Sequence, residues 1–353
     1  MSCTPATHCV DLQPLHTFAL PAKATGLRVI RSSADLQEMA QHQQAGERQI
    51  LLGEGSNTVF VEPVIHATVW KMGLTGRQYL GIYNQCHNIR VMAGENWHQT
   101  VEWTVAMGWG GLENLALIPG SVGAGPVQNI GAYGLELKDR VSAVHAFDLA
   151  KGTGCSFSLE ECQFGYRDSL FKSGYPGRYV ITAIDFALPV AWQPMLGYGD
   201  VAQRVKDIGP TSPASVLRAV CAIRTEKLPD PAVLGNCGSF FKNPVIGEET
   251  ALALLKNFPQ LVHYPAGQGL VKLAAGWLID QCGLRGFSTG GVGVYSRQAL
   301  ILVNQGNGQA EHLLSLVGHV QEQVHLKFGV QLEPEVNLVF SVPTRQEAGL
   351  PGS

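Results

Sequence analysis

Three short segments carry residue types suited to acid–base work on a carboxylic acid substrate. In Phe164-Gly165-Tyr166-Arg167-Asp168-Ser169 an arginine fork could hold a carboxylate through two hydrogen bonds and polarise it, as an enolate-forming reaction requires. A solvated Arg167–Asp168 surface pair fits the same residues, and the sequence leaves both readings open. In Gly235-Asn236-Cys237-Gly238-Ser239-Phe240-Phe241-Lys242-Asn243-Pro244 the Ser239 hydroxyl stands beside two phenylalanines, a setting that could face a dry pocket suited to proton delivery. A serine in a glycine turn is as a rule structural, and no Gly-x-Ser-x-Gly elbow marks it as a hydrolase nucleophile. In Leu332-Glu333-Pro334-Glu335-Val336 two carboxylates two residues apart point in similar directions if the segment is extended. One of them could be a partly buried acid; a solvated edge strand is the plainer reading.

Two further segments look built to receive a ligand with their backbone. Leu52-Gly53-Glu54-Gly55-Ser56-Asn57 follows an apolar strand, so its N–H groups could wrap a pyrophosphate as a nest. It has neither the third glycine of a dinucleotide fingerprint nor the Gly-Lys-Ser/Thr end of a P-loop, and a plain turn is the alternative. The second segment runs from Pro119 through Gly120, Ser121, Gly123, Ala124, Gln128, Asn129, Gly131 and Tyr133 to Gly134. Its small residues would let a flat ligand lie against main-chain donors, with Gln128 and Asn129 offering amides to heterocycle edges. Interdomain turns are the competing reading. Composition agrees with a special use of glycine. There are 41 glycines among 353 residues, well above the ordinary share of about 7%, and they crowd at 108, 110, 111, 120, 123, 125, 131 and 134. A third group, between Gly283 and Gly293, suggests only turns.

The elements that must hold these segments follow from periodicity. Residues 26–60 read as strand, helix, strand, with Ser32 and Asp35 resembling a capping box. A helix is expected from Trp97 to about Met107, stopped by Gly108. Residues 137–188 alternate as antiparallel strands do, with runs at 141–150 and 179–188. Ser212 and Pro213 start a helix that ends before Pro229, followed by a hinge at 227–231. Residues 271–282 are expected to be helical, with strands near 291–295 and 299–303 after them. Leu313, Leu316, Val317, Val320 and Val324 mark a final helix closing at Gly329. The whole is an α+β protein. Its parts are residues 1–74, completed by 337–353, then 75–227, then 228–336.

Charge excludes some function classes. With 25 basic and 28 acidic residues the net charge is −3, which argues against a nucleic-acid or anionic-membrane surface. No basic start followed by an apolar run marks a signal peptide, and the uncharged stretch 114–135 holds too many glycines and prolines for a membrane span. Cysteines at 3, 9, 86, 155, 162, 221, 237 and 282 form no C-x-x-C pair and suggest no metal site. A cytoplasmic protein with reduced thiols is expected.

Taken in order, the segments resemble the UDP-N-acetylenolpyruvoylglucosamine reductase family in its longer form, from about Leu15 to Val336. Gly94-Glu95-Asn96-Trp97-His98 also matches, and Gln193-Pro194-Met195-Leu196-Gly197-Tyr198-Gly199-Asp200 is similar to the longer form's substrate-capping loop. The resemblance implies a vanillyl-alcohol-oxidase type fold: two FAD-binding α/β subdomains, the second carrying the tyrosine loop, and a C-terminal α+β substrate domain. It implies a monomeric enzyme of cell-wall precursor synthesis. NADPH reduces FAD, and the flavin passes a hydride to the enolpyruvyl methylene of a nucleotide-sugar substrate, giving UDP-N-acetylmuramate. It further implies that Ser239 is the proton donor and that Arg167 and Glu335 stabilise the intermediate. Tyr166, Tyr198, Lys227 and Asn243 would contact substrate, and the two glycine loops with Arg224 would contact FAD. Asn337, His16 and Ala19 depart from the family's usual residues. Two other readings compete: an oxygen-using oxidase of the same fold, and a non-catalytic nucleotide-sugar binding protein.

Overall fold

Ser32 behaves as the sequence asks: its side chain accepts the Asp35 N–H, and the Asp35 carboxylate takes the Ser32 hydroxyl and the Arg31 N–H in return. That cap starts the helix Ser33–Gln44. The helix connects the strands Lys23–Ile30 and Gln49–Leu52, which flank Val64–Met72 and pair with it in parallel. The computed structural model describes residues 9–341. Residues 342–353, part of the tail expected to complete the first unit, lie outside the described residues. The strand Asn337–Val339 pairs in parallel with Thr58–Phe60, directly after the first glycine loop.

The second unit is an antiparallel sheet of five strands in the order Thr153–Ser158, Val141–Asp148, Tyr179–Pro189, Cys86–Met92 and Arg77–Tyr83. The helix Trp97–Ala106 leaves this sheet and ends where Met107 and Gly108 break it. Trp97 and Val101 are fully buried, and Trp97 Nε1 donates to the Leu115 carbonyl, fastening the helix to the loop that follows. That loop, 113–128, is a chain of 3-10 turns rather than a continuous helix. Val201–Ile208 is a short helix that the sequence reading did not pick out, burying Val201 and Val205 one turn apart. Pro213–Lys227 follows with a full Ser212/Ser215 capping box.

The C-terminal part packs around Phe240, Phe241, Leu278, Leu302 and the buried stripe of the helix Ala310–Phe328, in a core that Phe18, Leu20, Val59 and Val61 of the N-terminal part share. Each fully buried Leu or Val in that stripe contributes about 1.5–3 kcal/mol of transfer free energy. One expectation fails here. Residues 271–282 are not one helix: Leu270–Leu273 is the central strand between Val245–Gly247 and His263–Pro265, and only Ala275–Gln281 is helical. Val271 and Leu273 alternate with Lys272 at the period of a strand, and pairing with two distant segments decides the outcome. Asn243 then starts the helix from outside, its Oδ1 accepting the Ala275 N–H at 2.9 Å. The glycines of 283–293 serve turns: the hairpin of Ser288–Thr289 with Val292–Val294 closes on Gly290 and Gly291.

Candidate active site

The two glycine loops meet side by side. Ser56 Oγ donates to the Pro119 carbonyl at 2.9 Å, and Glu54 Oε1 accepts from Asn96 Nδ2 at 2.8 Å, next to the bridge between Asn96 and Ser121. A Cβ on Gly53 would stand 2.6 Å from Ser121 Oγ, and one on Gly120 would stand 2.7 Å from Ser56 Oγ. Glycine is what allows the two backbones to approach. Asn57 extends the junction, its Nδ2 donating to Gln128 Oε1 at 3.0 Å and to the Glu335 carbonyl at 3.2 Å. One amide therefore joins both loops to the segment bearing the candidate acid.

Arg167 and Glu335 are brought together from 168 residues apart in the chain, Nε to Oε1 2.9 Å, with side chains 22% and 11% exposed. The surface pair with Asp168 does not form. Asp168 instead accepts the Ser169 N–H and the Ser173 hydroxyl, closing its own turn. Arg167 Nη2 donates to the Gly131 carbonyl at 3.0 Å, so the second glycine loop holds the guanidinium. The Arg167 N–H nearest Glu335 makes no hydrogen bond, so the two groups stand in close contact without the usual bond along N–H. Burial raises the pKa of Glu335, outweighing Arg167, Lys172 and Lys242, which pull it down. The two carboxylates of the Glu-Pro-Glu run share no environment. Glu333 is 71% exposed and pairs with Lys242 at 3.2 Å, because the Pro334 bridge to Phe241 leaves it at the rim.

Ser239 ends the strand Gly235–Ser239, and the Glu335 N–H bonds the carbonyl of its neighbour Phe240 at 2.8 Å. The backbone thus places the serine and the acid on adjacent segments. The surroundings differ from expectation: Ser239 is exposed, and Phe240 and Phe241 do not wall it off. Both rings turn into the C-terminal core, where Phe240 packs edge-on with Phe18. Asn129 also departs from its expected part. It is fully buried, and its amide is spent on Glu136, the Gly165 carbonyl and the Lys138 N–H, so it braces the loop and offers nothing outward.

Tyr198, half exposed, meets the edge of Tyr133 with ring centroids 5.8 Å apart, and its hydroxyl reaches Tyr264 of the third unit. Lys227 lies near Asp200 at 3.7 Å, two residues beyond that tyrosine. Tyr166 neighbours Asn243 and carries Lys272 Nζ over its ring at 4.5 Å. Tyr264, Lys272 and Lys172 are absent from the sequence reading. Each sits in a short segment whose neighbours are defined only by long-range folding.

Arg224 is the candidate flavin contact outside the two glycine loops. It is partly buried, its buried Nε has no hydrogen-bond partner among the described residues, and the Tyr133 side chain is a polar neighbour. A partly buried guanidinium with an unspent donor suits an anionic pyrophosphate. Gly53, Gly55, Gly120 and Gly123 each let their loop pack closely on neighbouring protein, where a β-carbon would clash.

Comparison with known proteins agrees with this geometry. The family described as FAD binding domain matches residues 25–158, and UDP-N-acetylenolpyruvoylglucosamine reductase, C-terminal domain, matches residues 230–339. The UDP-N-acetylenolpyruvoylglucosamine reductase of Chromobacterium violaceum is 49% identical over 331 residues, covering 92% of this chain and 96% of that protein. That of Escherichia coli (strain K12) is 46% identical over 334 residues, covering 93% and 95%. The crystal structure of the Thermus caldophilus reductase superposes with a TM-score of 0.66 at 23% identity, covering 94% of this chain and 98% of that one, so the fold is shared. A chain with these two matched domains and relatives this similar along nearly its whole length belongs to the UDP-N-acetylenolpyruvoylglucosamine reductase family.

Proposed function

We propose that this chain binds FAD between its two glycine loops and Arg224 and reduces UDP-N-acetylglucosamine enolpyruvate to UDP-N-acetylmuramate, a step of peptidoglycan precursor synthesis, with NADPH as reductant. The single observation that carries the reading is the half-buried Arg167–Glu335 pair, 2.9 Å apart, on the segment next to Ser239 and tied to both loops through Asn57 and Gly131. FAD supplies the hydride chemistry. The protein's own residues then have to deliver a proton to carbon and hold the charge that develops beside it.

Ser239 Oγ–H gives the proton to the carbon next to the one that receives hydride. A hydroxyl is a poor acid in water, so the enolate must be held in place and stabilised. Arg167 provides a fixed cation. Glu335, whose acid form burial favours, offers an O–H to the enolate oxygen when it is protonated. One such preorganised donor is worth about 3–4 kcal/mol of barrier, or roughly 10²–10³ in rate. The exposure of Ser239 has a use in this scheme, since solvent can return the proton to its oxygen after each turnover. Tyr198, Lys227, Asn243 and Tyr166 stand at the mouth, where cationic and aromatic groups receive the nucleotide sugar.

We further assign residues 1–74 with the C-terminal tail, 75–227 and 228–336 as the three working units, in a cytoplasmic monomer. No helix among the described residues is long and apolar enough to cross a membrane. Light scattering that gives a dimer mass would refute the monomer. The decisive experiment separates the half-reactions. Ser239→Ala should keep a flavin absorbance band and reduction by NADPH, while losing reduction of the enolpyruvyl substrate by several orders of magnitude. Normal substrate turnover in that variant removes Ser239 from the proposal, and a colourless protein that takes up no added FAD removes the enzyme reading itself.

A further inference from the structure

Arg167 holds an unusual backbone. Its φ is +55°, a left-handed conformation that costs a residue with a β-carbon about 1–2 kcal/mol. Such a conformation persists where the surroundings over-determine it. Gly165 and Asp168 bond across the turn at 2.9 Å, bracketing Arg167, but they leave the Arg167 carbonyl free. That carbonyl is taken by Lys172, whose Nζ donates to it at 3.0 Å.

The lysine reaches back because of the element it stands on. Leu170–Gly174 is a single π-turn, a form frequent at functional positions. It is started by Ser169, whose side chain accepts the Phe171 N–H and donates to the Val127 carbonyl at 2.7 Å. The turn therefore hangs from the second glycine loop and returns Lys172 over Arg167. Lys172 is only partly exposed, with Arg167, Lys242, Glu335 and Asp168 as its charged neighbours. Burial, followed by repulsion from Lys242, lowers its pKa. A lysine with no task beyond solvation would stay in water, where a cation is cheapest.

We propose that Lys172 is a positioning residue of the reductive site, fixing the left-handed backbone at Arg167 and thereby the direction of the guanidinium toward Glu335 and the substrate carboxylate. The inference rests on the function proposed above. Lys172 touches no reacting atom, so its removal should misplace a catalytic group rather than delete one, and a displacement of about 1 Å can cost on the order of 10²-fold in rate.

The test compares the flavin-loaded parent with Lys172→Met, Lys172→Arg and Ser173→Ala. Ser173 belongs to the same turn, donates to Asp168 at 2.5 Å and does not bond the Arg167 carbonyl. Steady-state turnover of UDP-N-acetylglucosamine enolpyruvate and stopped-flow reduction of the flavin by NADPH are both measured. The K172M variant should lose about 10–100-fold in kcat, with KM changed far less and NADPH reduction of the flavin within about twofold of the parent. K172R should recover most of the loss, and S173A should leave kcat within about twofold. A K172M variant with the parent's kcat overturns the inference. So does one that sheds its flavin, or an S173A variant that falls equally far, because either result makes the role structural. A parent that reduces no enolpyruvyl substrate overturns the underlying function instead.

Discussion

Arg167 Nε lies 2.9 Å from Glu335 Oε1 without a hydrogen bond along its N–H, while Nη2 is tied to the Gly131 carbonyl. The guanidinium is therefore fixed by the second glycine loop and presented to the acid, rather than locked onto it. A lysine at this position could carry the charge but could not hold Gly131 and face Glu335 at once. Arg167→Lys should therefore cost about 10²–10³-fold in kcat for substrate reduction, with flavin reduction by NADPH unchanged. Stopped-flow traces of the two half-reactions check this; an equal loss in both would assign Arg167 to flavin binding instead.

The pH dependence follows from Glu335. Burial raises its pKa, so the acid form survives to higher pH than in an exposed glutamic acid. A raised pKa means that activity depending on the acid form is complete at low pH and is lost as pH rises through the folded value. The limb should appear in kcat for substrate reduction and be missing from NADPH reduction of the flavin. Glu335→Gln keeps a hydrogen-bond donor but has no proton to lose, so its lower kcat should show no such alkaline limb. The comparison needs only kcat profiles of parent and variant across the acid-to-alkaline range, and a limb that persists in E335Q belongs to another group.

Much of this site is legible in the chain. Gly53, Gly55, Gly120 and Gly123 read as positions where the backbone must come close to something, and the structure uses Gly53 and Gly120 where the two loops meet. Ser212-Pro213, Ser32 and Gly329 mark helix ends because capping is decided within a few residues. What sequence conceals is decided by partners far along the chain. Phe240 and Phe241 look like walls for Ser239 until the C-terminal core claims them. Asn129 looks like a ligand amide until Glu136 and Gly165 consume it. The strand Leu270–Leu273 needs two distant strands to outweigh a helical continuation.

Ala19 provides a stability test away from the chemistry. Its φ is +55°, and its carbonyl accepts from Gln13 Nε2 and Asn304 Nδ2, so the surrounding bonds hold the backbone in the left-handed region. Relief of that strain in Ala19→Gly is worth about 1–2 kcal/mol, less about 0.4–1 kcal/mol for the freer unfolded chain. The net should be a gain of roughly 0.5–1 kcal/mol with activity unchanged. Urea unfolding of the two proteins decides it, and a lower midpoint at an unchanged slope would show that Ala19 packs better than its backbone suggests.

Gly123 should be an intolerant glycine of the proposed flavin bed. Its N–H donates to the Ala93 carbonyl at 2.8 Å, which presses the loop against the end of the five-stranded sheet. A β-carbon there would fall 2.5 Å from Ala93 Cβ and 3.1 Å from the Ala93 backbone, and neither neighbour is a flexible side chain that can swing aside. The loop must lift, and with it the backbone that faces the cofactor. Overpacking of this kind costs about 1–3 kcal/mol. In Gly123→Ala that cost should appear both as a lower unfolding midpoint and as FAD affinity weakened by tenfold or more, since about 1.4 kcal/mol is a factor of ten. Gly154, where a β-carbon meets nothing within 4 Å, is the control and should change neither quantity on conversion to alanine. Flavin titration of the two apoproteins reads the difference directly: equal affinities would mean that the loop yields without moving the cofactor's bed.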